Sequence, residues 1–456
     1  MQYVSTRGQT PPMSFQDAVV TGLAPDGGLL LPAEIPDVRD RLDAWRDLGF
    51  VDLAVELLPL FVDDIDRDDL ETLIRDAYAT FDADDVVPLV AVGDVEVLEL
   101  FHGPTLAFKD VALQLLGRLF DYVLSRRGEH LNILAATSGD TGSAAIAGVR
   151  GLDAVDIFVM YPDGRVSALQ ELQMTTVTDA NVHCLAVDGS FDDCQTLMKT
   201  LFADLDFKGR FHLGAVNSVN WARVLAQIVY YAYASLKRGG EAPVTFCVPT
   251  GNFGNVFAGY LAKRMGFPIA RLVLATNEND ILSKFFATGE YQRGEVRFTV
   301  TPAMDIQVAS NFERYLYYLM NGDSARLRAF MQDFATTGRA VLDAAPGTDD
   351  FFATAVDVED TLATIRRLYD AYGYVADPHT AVGIAAAERF PTDGPVICLA
   401  TAHPAKFPES VDKAVGSAVA RHPRLEGLRG LESRRTEIPA TLDAVKDFIA
   451  AHARVR

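Results

Sequence analysis

Cysteine is scarce. The 456 residues hold four (Cys184, Cys194, Cys247, Cys398), and no two form a C-x-x-C pair. That argues against a disulfide scaffold and a cysteine-based zinc site. Cys247 and Cys398 fall inside apolar, strand-like runs, where the expected state is a free buried thiol in a reducing compartment. Basic residues are also in deficit, 41 against 62 acidic ones, giving a formal charge of −21 at pH 7. Such a surface repels nucleic-acid phosphates and anionic membranes, so neither is an expected partner, and any anion site needs local donors. No stretch reaches the roughly 20 apolar residues that span a bilayer. The opening Met1-Gln2-Tyr3-Val4-Ser5-Thr6-Arg7 lacks the apolar core of a signal peptide. A cytoplasmic protein is expected. Lysine is missing altogether before position 109.

What is present is an ample core. Hydrophobic residues make up 49% of the chain, and its length suggests two or three domains. The first 95 residues are mixed. A turn-rich opening (Ala24-Pro25-Asp26-Gly27-Gly28) precedes apolar residues at helical spacing from Leu42 to Leu58, with Gly49 as a break. An acidic run from Asp63 to Asp69 then reads as a solvated helix start. From Leu131 the pattern changes to short apolar runs: Leu131–Ala136, Val155–Met160, Val182–Val187, Val244–Val248, Leu272–Ala275 and Val396–Ala400. Helical segments such as Trp221–Lys237 and Val256–Met265 lie between them. Strands alternating with helices imply βαβ units and largely parallel sheets. The expected division is an N-terminal subdomain (1–95) and two α/β lobes (96–240 and 241–456), with a cleft between the lobes.

Three strand-end turns carry the chemistry, because ligands of open parallel sheets bind where helix N-termini present free N–H groups. Pro249-Thr250-Gly251-Asn252-Phe253-Gly254-Asn255 has two glycines that let backbone approach a ligand. It reads either as a phosphate cradle or as a tight capped turn. No Walker lysine and no G-x-G-x-x-G accompanies it, so nucleotide binding by those motifs is unsupported. Thr137-Ser138-Gly139-Asp140-Thr141-Gly142-Ser143 is dense in small hydroxyls, suited to a carboxylate or phosphate, or simply to capping a helix. His102-Gly103-Pro104-Thr105-Leu106-Ala107-Phe108-Lys109-Asp110 sets one lysine among aromatic and small apolar residues before a helical pattern (Val111–Phe120). Desolvation there lowers an amine's proton affinity and makes it a nucleophile for an aldehyde. A lysine at a helix start also opposes the macrodipole, which points to a specific role. In Ala400-Thr401-Ala402-His403-Pro404-Ala405-Lys406-Phe407, Thr401 would end a strand, and His403 reads as catalytic or as a structural residue before a proline turn.

Taken in order, these segments resemble the threonine synthase family, in the subgroup with a long N-terminal region. The resemblance also rests on Ser5-Thr6-Arg7, Gly22 to Leu29, Tyr161-Pro162-Asp163-Gly164-Arg165-Val166-Ser167, Asn217-Ser218-Val219-Asn220-Trp221-Ala222-Arg223 and Asp377-Pro378-His379-Thr380-Ala381-Val382-Gly383. It implies a fold-type II pyridoxal-phosphate (PLP) enzyme with two open α/β lobes and an N-terminal subdomain, acting as a lyase on O-phospho-L-homoserine. It implies that Lys109 carries pyridoxal 5'-phosphate as a Schiff base and that Gly251, Asn252, Phe253, Gly254 and Asn255 hold its phosphate. Thr401 would meet the pyridine nitrogen. A hydroxyl there leaves the ring a weaker electron sink, favouring guided elimination over transamination. Ser138, Asp140 and Thr141 would bind substrate carboxylate or phosphate, and Asn217, Ser218 and Arg223, with Arg165, the substrate phosphate. No metal is expected, and the molecule is expected to be a monomer or homodimer. The alternative within PLP enzymes is a phospho-lyase or dehydratase acting on a related amino acid, since substrate choice turns on a few pocket residues.

Overall fold

The computed structural model describes residues 1–455 except 138, 240, 241, 348, 391 and 393. Two sheets organise it. The larger has six strands in the order 351–355, 269–276, 244–249, 396–400, 95–99 and 89–92; all neighbours are parallel except the last pair. The smaller has five parallel strands in the order 436–439, 182–188, 155–162, 131–136 and 213–214. This is the two-lobed, largely parallel α/β architecture expected from the alternating pattern. Its central strands are covered on both faces, and Val155–Pro162 and Val244–Pro249 are buried at every residue. Their sequences are correspondingly near-continuous apolar runs.

The sheets do not follow chain order. Residues 89–99 supply two strands to the sheet otherwise drawn from 244–400, and Thr436–Pro439 returns at the far end of the chain to edge the smaller one. That strand reads Thr-Glu-Ile-Pro, with only Ile438 buried. An edge strand with one buried side chain carries little periodic signal.

The N-terminal region is not separate from this core. The helical pattern breaks near Gly49 as expected: one short helix (Leu42–Trp45) ends before it, and Gly49 is the N-cap residue of the next (Phe50–Leu57). Phe50 packs edge-on against Tyr233 of the helix Trp221–Arg238, with ring centres 5.9 Å apart. That helix is buried from Trp221 to Leu236, Arg223 and Gln227 included. Among the described residues no helix is long and apolar enough to cross a membrane. All four cysteines are free and buried.

One contact brings two helix starts together. A Cβ added at Gly117 would lie 1.8 Å from the Gly148 carbonyl oxygen, so the helices Lys109–Arg127 and Asp140–Val149 touch backbone to backbone. The crossing falls about two turns into each helix. Their first residues, Lys109 and Asp140, are therefore neighbours at one end.

Candidate active site

Strand ends of both sheets open on one cavity of about 1190 Å³. Its wall includes Phe108, Lys109, Thr137, Thr141, Asn217, Ser218, Arg223, Thr250, Thr401 and all of Gly251–Asn255. Three helices begin beside it: Lys109–Arg127, Asp140–Val149 and Gly254–Met265. None has a side-chain cap at its N-terminus. The N-cap residues thus take up none of their first N–H groups, as an anion site requires, although Thr137 Oγ1 accepts from Gly142 N–H in the first turn of Asp140–Val149.

Lys109 and Thr401 meet because their loops are stitched together. Phe108 N–H donates to the Thr401 carbonyl at 2.8 Å and His403 N–H to the Leu106 carbonyl at 3.0 Å, around an antiparallel bridge from Ala107 to Ala402. The Lys109 amine lies 5.1 Å from the Phe108 ring centre and 4.0 Å from Asp140 Oδ2. Burial holds its proton affinity below the ordinary lysine range; Asp140 works against that shift, while Lys406 and Arg223 reinforce it.

The Gly251–Asn255 loop is built tightly. A Cβ at Gly251 would sit 2.5 Å from the Ala303 carbonyl oxygen, so no side chain fits there without moving backbone. Phe253 takes a left-handed φ of 66° although it is not glycine. Its ring is held among Phe312, Tyr315, Phe286 and Phe351, which over-determines the strained conformation. Asn255 Oδ1 accepts from the hydroxyls of Tyr230 and Tyr231 at 2.6 and 2.8 Å, and its Nδ2 has no protein partner.

Across the cavity, Arg223 is 4% exposed, and its Nε and Nη1 find no protein partner. Burial lowers its pKa to about 10, so it stays charged at neutral pH. A buried guanidinium with unused N–H groups is costly unless something anionic completes it. The segment before it is held from two sides. Arg314 donates to the carbonyls of Val219 and Leu30, and Asn220 Nδ2 to the Val19 carbonyl at 2.8 Å. Glu313 in turn accepts from Thr6 Oγ1 at 2.6 Å and pairs with Arg7 at 3.1 Å. Residues 20–25 and Gly27 line the cavity directly.

The motifs alone do not reveal the part that joins the two loops. Asn311 Nδ2 reaches both the Ser218 and Asn252 carbonyls, at 3.1 and 3.2 Å, and Ser310 Oγ lies 2.9 Å from Ser218 Oγ and 3.1 Å from Asn252 Oδ1. The only local signal is charge and amide inside an aromatic run, Asn311-Phe312-Glu313-Arg314-Tyr315.

Other expected site residues fall differently. Asp140 lies behind the lining residues, between Lys109 and Lys406. Ser138 is outside the described residues. Arg165, in the turn after the strand Val155–Pro162, is exposed and does not line the cavity. His403 lines a separate cavity of about 320 Å³, where its ring accepts from Ala405 N–H. Burial holds its pKa down to about 4. That makes it a cap of the turn at Pro404.

Residues 97–402 match the sequence model of pyridoxal-phosphate dependent enzymes, residues 2–78 that of the threonine synthase N terminus, and 380–449 that of the threonine synthase C-terminal region. The chain belongs to the threonine synthase family. It is 45% identical to the threonine synthase of Pseudomonas aeruginosa, covering 99% of this chain and 98% of that one. Identity to the Schizosaccharomyces pombe enzyme is 46%, over 91% and 90% of the two chains. The PLP-bound threonine synthase from Brucella melitensis superposes with a TM-score of 0.97 at 45% identity over the full length of both. Like the rest of its family, the chain is a PLP-dependent lyase of fold type II.

Proposed function

We propose that this chain converts O-phospho-L-homoserine and water into L-threonine and phosphate, as a cytoplasmic enzyme. The cytoplasmic part is supported by four buried free thiols. The observation that carries the reaction is the pairing, in one cavity, of a buried amine at Lys109 with a buried, incompletely partnered guanidinium at Arg223. The first suits chemistry at Cα; the second suits a phosphate on the same small molecule.

The residues present suit PLP. Lys109 would hold it covalently, and the Gly251–Asn255 loop would receive its phosphate, with the free Nδ2 of Asn255 as a donor beside a backbone too close for any side chain at Gly251. Thr401 would face the ring nitrogen. The bound cofactor supplies an electron sink that acidifies the substrate's carbon-bound protons.

The protein's own groups do the rest. Lys109 is the base: its amine, whose proton affinity burial lowers, takes the proton from Cα and carries it along the substrate. Arg223, with Asn217 and Ser218, binds the substrate phosphate and stays on it as the Cγ–O bond breaks, where charge develops. The turn at Thr137–Thr141 receives the carboxylate. Within it, Thr137 Oγ1 accepts from the N–H groups of Gly139 and Gly142 at 3.1 and 3.0 Å. The wall formed by residues 20–25 limits stray water, so that water adds at Cβ only.

The test is a product balance. Purified protein given O-phospho-L-homoserine should release threonine and phosphate in equal amounts. Phosphate accompanied by a keto acid, without threonine, would replace this reading with the phospho-lyase one.

A further inference from the structure

Lys406 is a second buried lysine at this site, and the proposed reaction does not use it. It ends the short helix Pro404–Lys406, and its side chain is 0% exposed. Its ammonium has three partners: the Thr105 carbonyl at 2.7 Å, Gln173 Oε1 at 2.6 Å and Asp140 Oδ1 at 3.2 Å. Asp140 Oδ1 also accepts from Gln170 Nε2 at 3.2 Å. Its other oxygen is left facing Lys109 at 4.0 Å, beyond hydrogen-bond reach. One carboxylate therefore stands between two amines and is bonded to only one of them.

We infer that Lys406 is a positioning residue for Lys109: by serving as the resident counter-ion of Asp140, it keeps that carboxylate from pinning Lys109 as an ammonium. This rests on the reading of Lys109 as the base. An amine that must accept a proton is of no use if a buried carboxylate holds one on it. Yet Asp140 is nearly buried itself and needs a cation at all times. Lys406 meets that need independently of what Lys109 is doing. The charged groups facing Lys109 are Asp140, Lys406, Arg223 and Asp110, and Asp140 also faces His379. Asp110 is engaged elsewhere, accepting from Thr105 N–H and Oγ1, both at 2.7 Å. Asp140 is thus the carboxylate able to change partners.

The two partners act with opposite signs. Remove Lys406, and Asp140 turns its whole charge on Lys109, whose amine then binds its proton more tightly. Remove the charge of Asp140, and Lys406 acts on Lys109 unopposed, so the amine binds its proton more weakly.

The experiment measures that proton directly. Full-length protein stripped of cofactor is labelled with trace acetic anhydride across a pH series, and Lys109 acetylation is read by mass spectrometry. Asp140→Asn should lower the labelling midpoint by about one pH unit, and Lys406→Met should raise it by about one. The acid limb of kcat in the holoenzyme should move the same way. The double variant should return most of the way to the parent midpoint. Unmoved midpoints, with only lower melting temperatures, would make Lys406 a structural residue and overturn the inference. If Lys406→Met fails to fold, Lys406→Gln takes its place with the same expected rise, since the amide stays polar in the buried site without the charge. Failure to form threonine would remove the proposed reaction, while the labelling midpoints would still decide this point.

Discussion

Two loops face each other across the cavity, and both are fitted for an oxyanion, but by different means. Gly251–Asn255 offers backbone and the unpartnered amide of Asn255, carries no charged side chain, and is locked by the Phe253 cluster and by contact with Ala303. Asn217–Arg223 offers a full positive charge on a buried guanidinium with unused N–H donors. A group that stays bound through every turnover needs fit and rigidity. A group that leaves as a dianion needs charge that strengthens as the bond breaks. On the proposed reading, the first loop would serve the resident cofactor and the second the substrate. Asn311 and Ser310 tie the two together, so their separation is held by one amide and one hydroxyl from adjacent residues.

The comparison can be broken or sharpened by substitution. Lys109→Ala should have the largest effect, a loss of roughly a thousandfold or more in turnover, with loss of the visible band of the bound cofactor. Arg223→Ala should raise KM for the phosphorylated substrate by about a hundredfold while leaving cofactor affinity nearly unchanged. Arg223→Lys should recover little of it, because a point charge does not replace a bidentate fork. Gly251→Ala should do the reverse. Its cofactor Kd, measured by equilibrium dialysis, should rise about tenfold, because the new Cβ must displace backbone. If Arg223→Ala weakened cofactor binding as much as substrate binding, the division between the loops would be wrong.

A smaller effect lies away from both. Gly117→Ala should cost about 2 kcal/mol in denaturant unfolding by forcing apart the helices that bring Lys109 to Asp140. Arg165→Ala should change kcat/KM by about twofold at most, as befits an exposed arginine outside the cavity.

Much of this was legible in the sequence. Apolar runs bounded by Gly, Ser and Thr mark buried parallel strands and their ligand-facing ends, because burial on both faces leaves no other pattern. A lysine among aromatic and small residues marked Lys109 for the same local reason. What stayed hidden depends on distant pairing. Lys406 lies 297 positions from Lys109, and nothing near it in the chain announces that its ammonium is buried against Asp140. Asn311 is one amide in an aromatic helix start until the fold sets it between Ser218 and Asn252. The last strand, Thr436–Pro439, has a single buried side chain and so no alternation to read. Arg165 shows the converse: its motif was visible, but which way a surface turn points is decided by packing that the motif does not contain.

The central claim is that phosphate leaves by cleavage of the substrate's carbon–oxygen bond, with water returning to a neighbouring carbon. The direct measurement is turnover of O-phospho-L-homoserine in water enriched in the heavy oxygen isotope, with both products analysed by mass spectrometry. The account predicts label in the threonine hydroxyl and none in the phosphate. Label in the phosphate, with homoserine as the organic product, would mean hydrolysis at phosphorus and would contradict it.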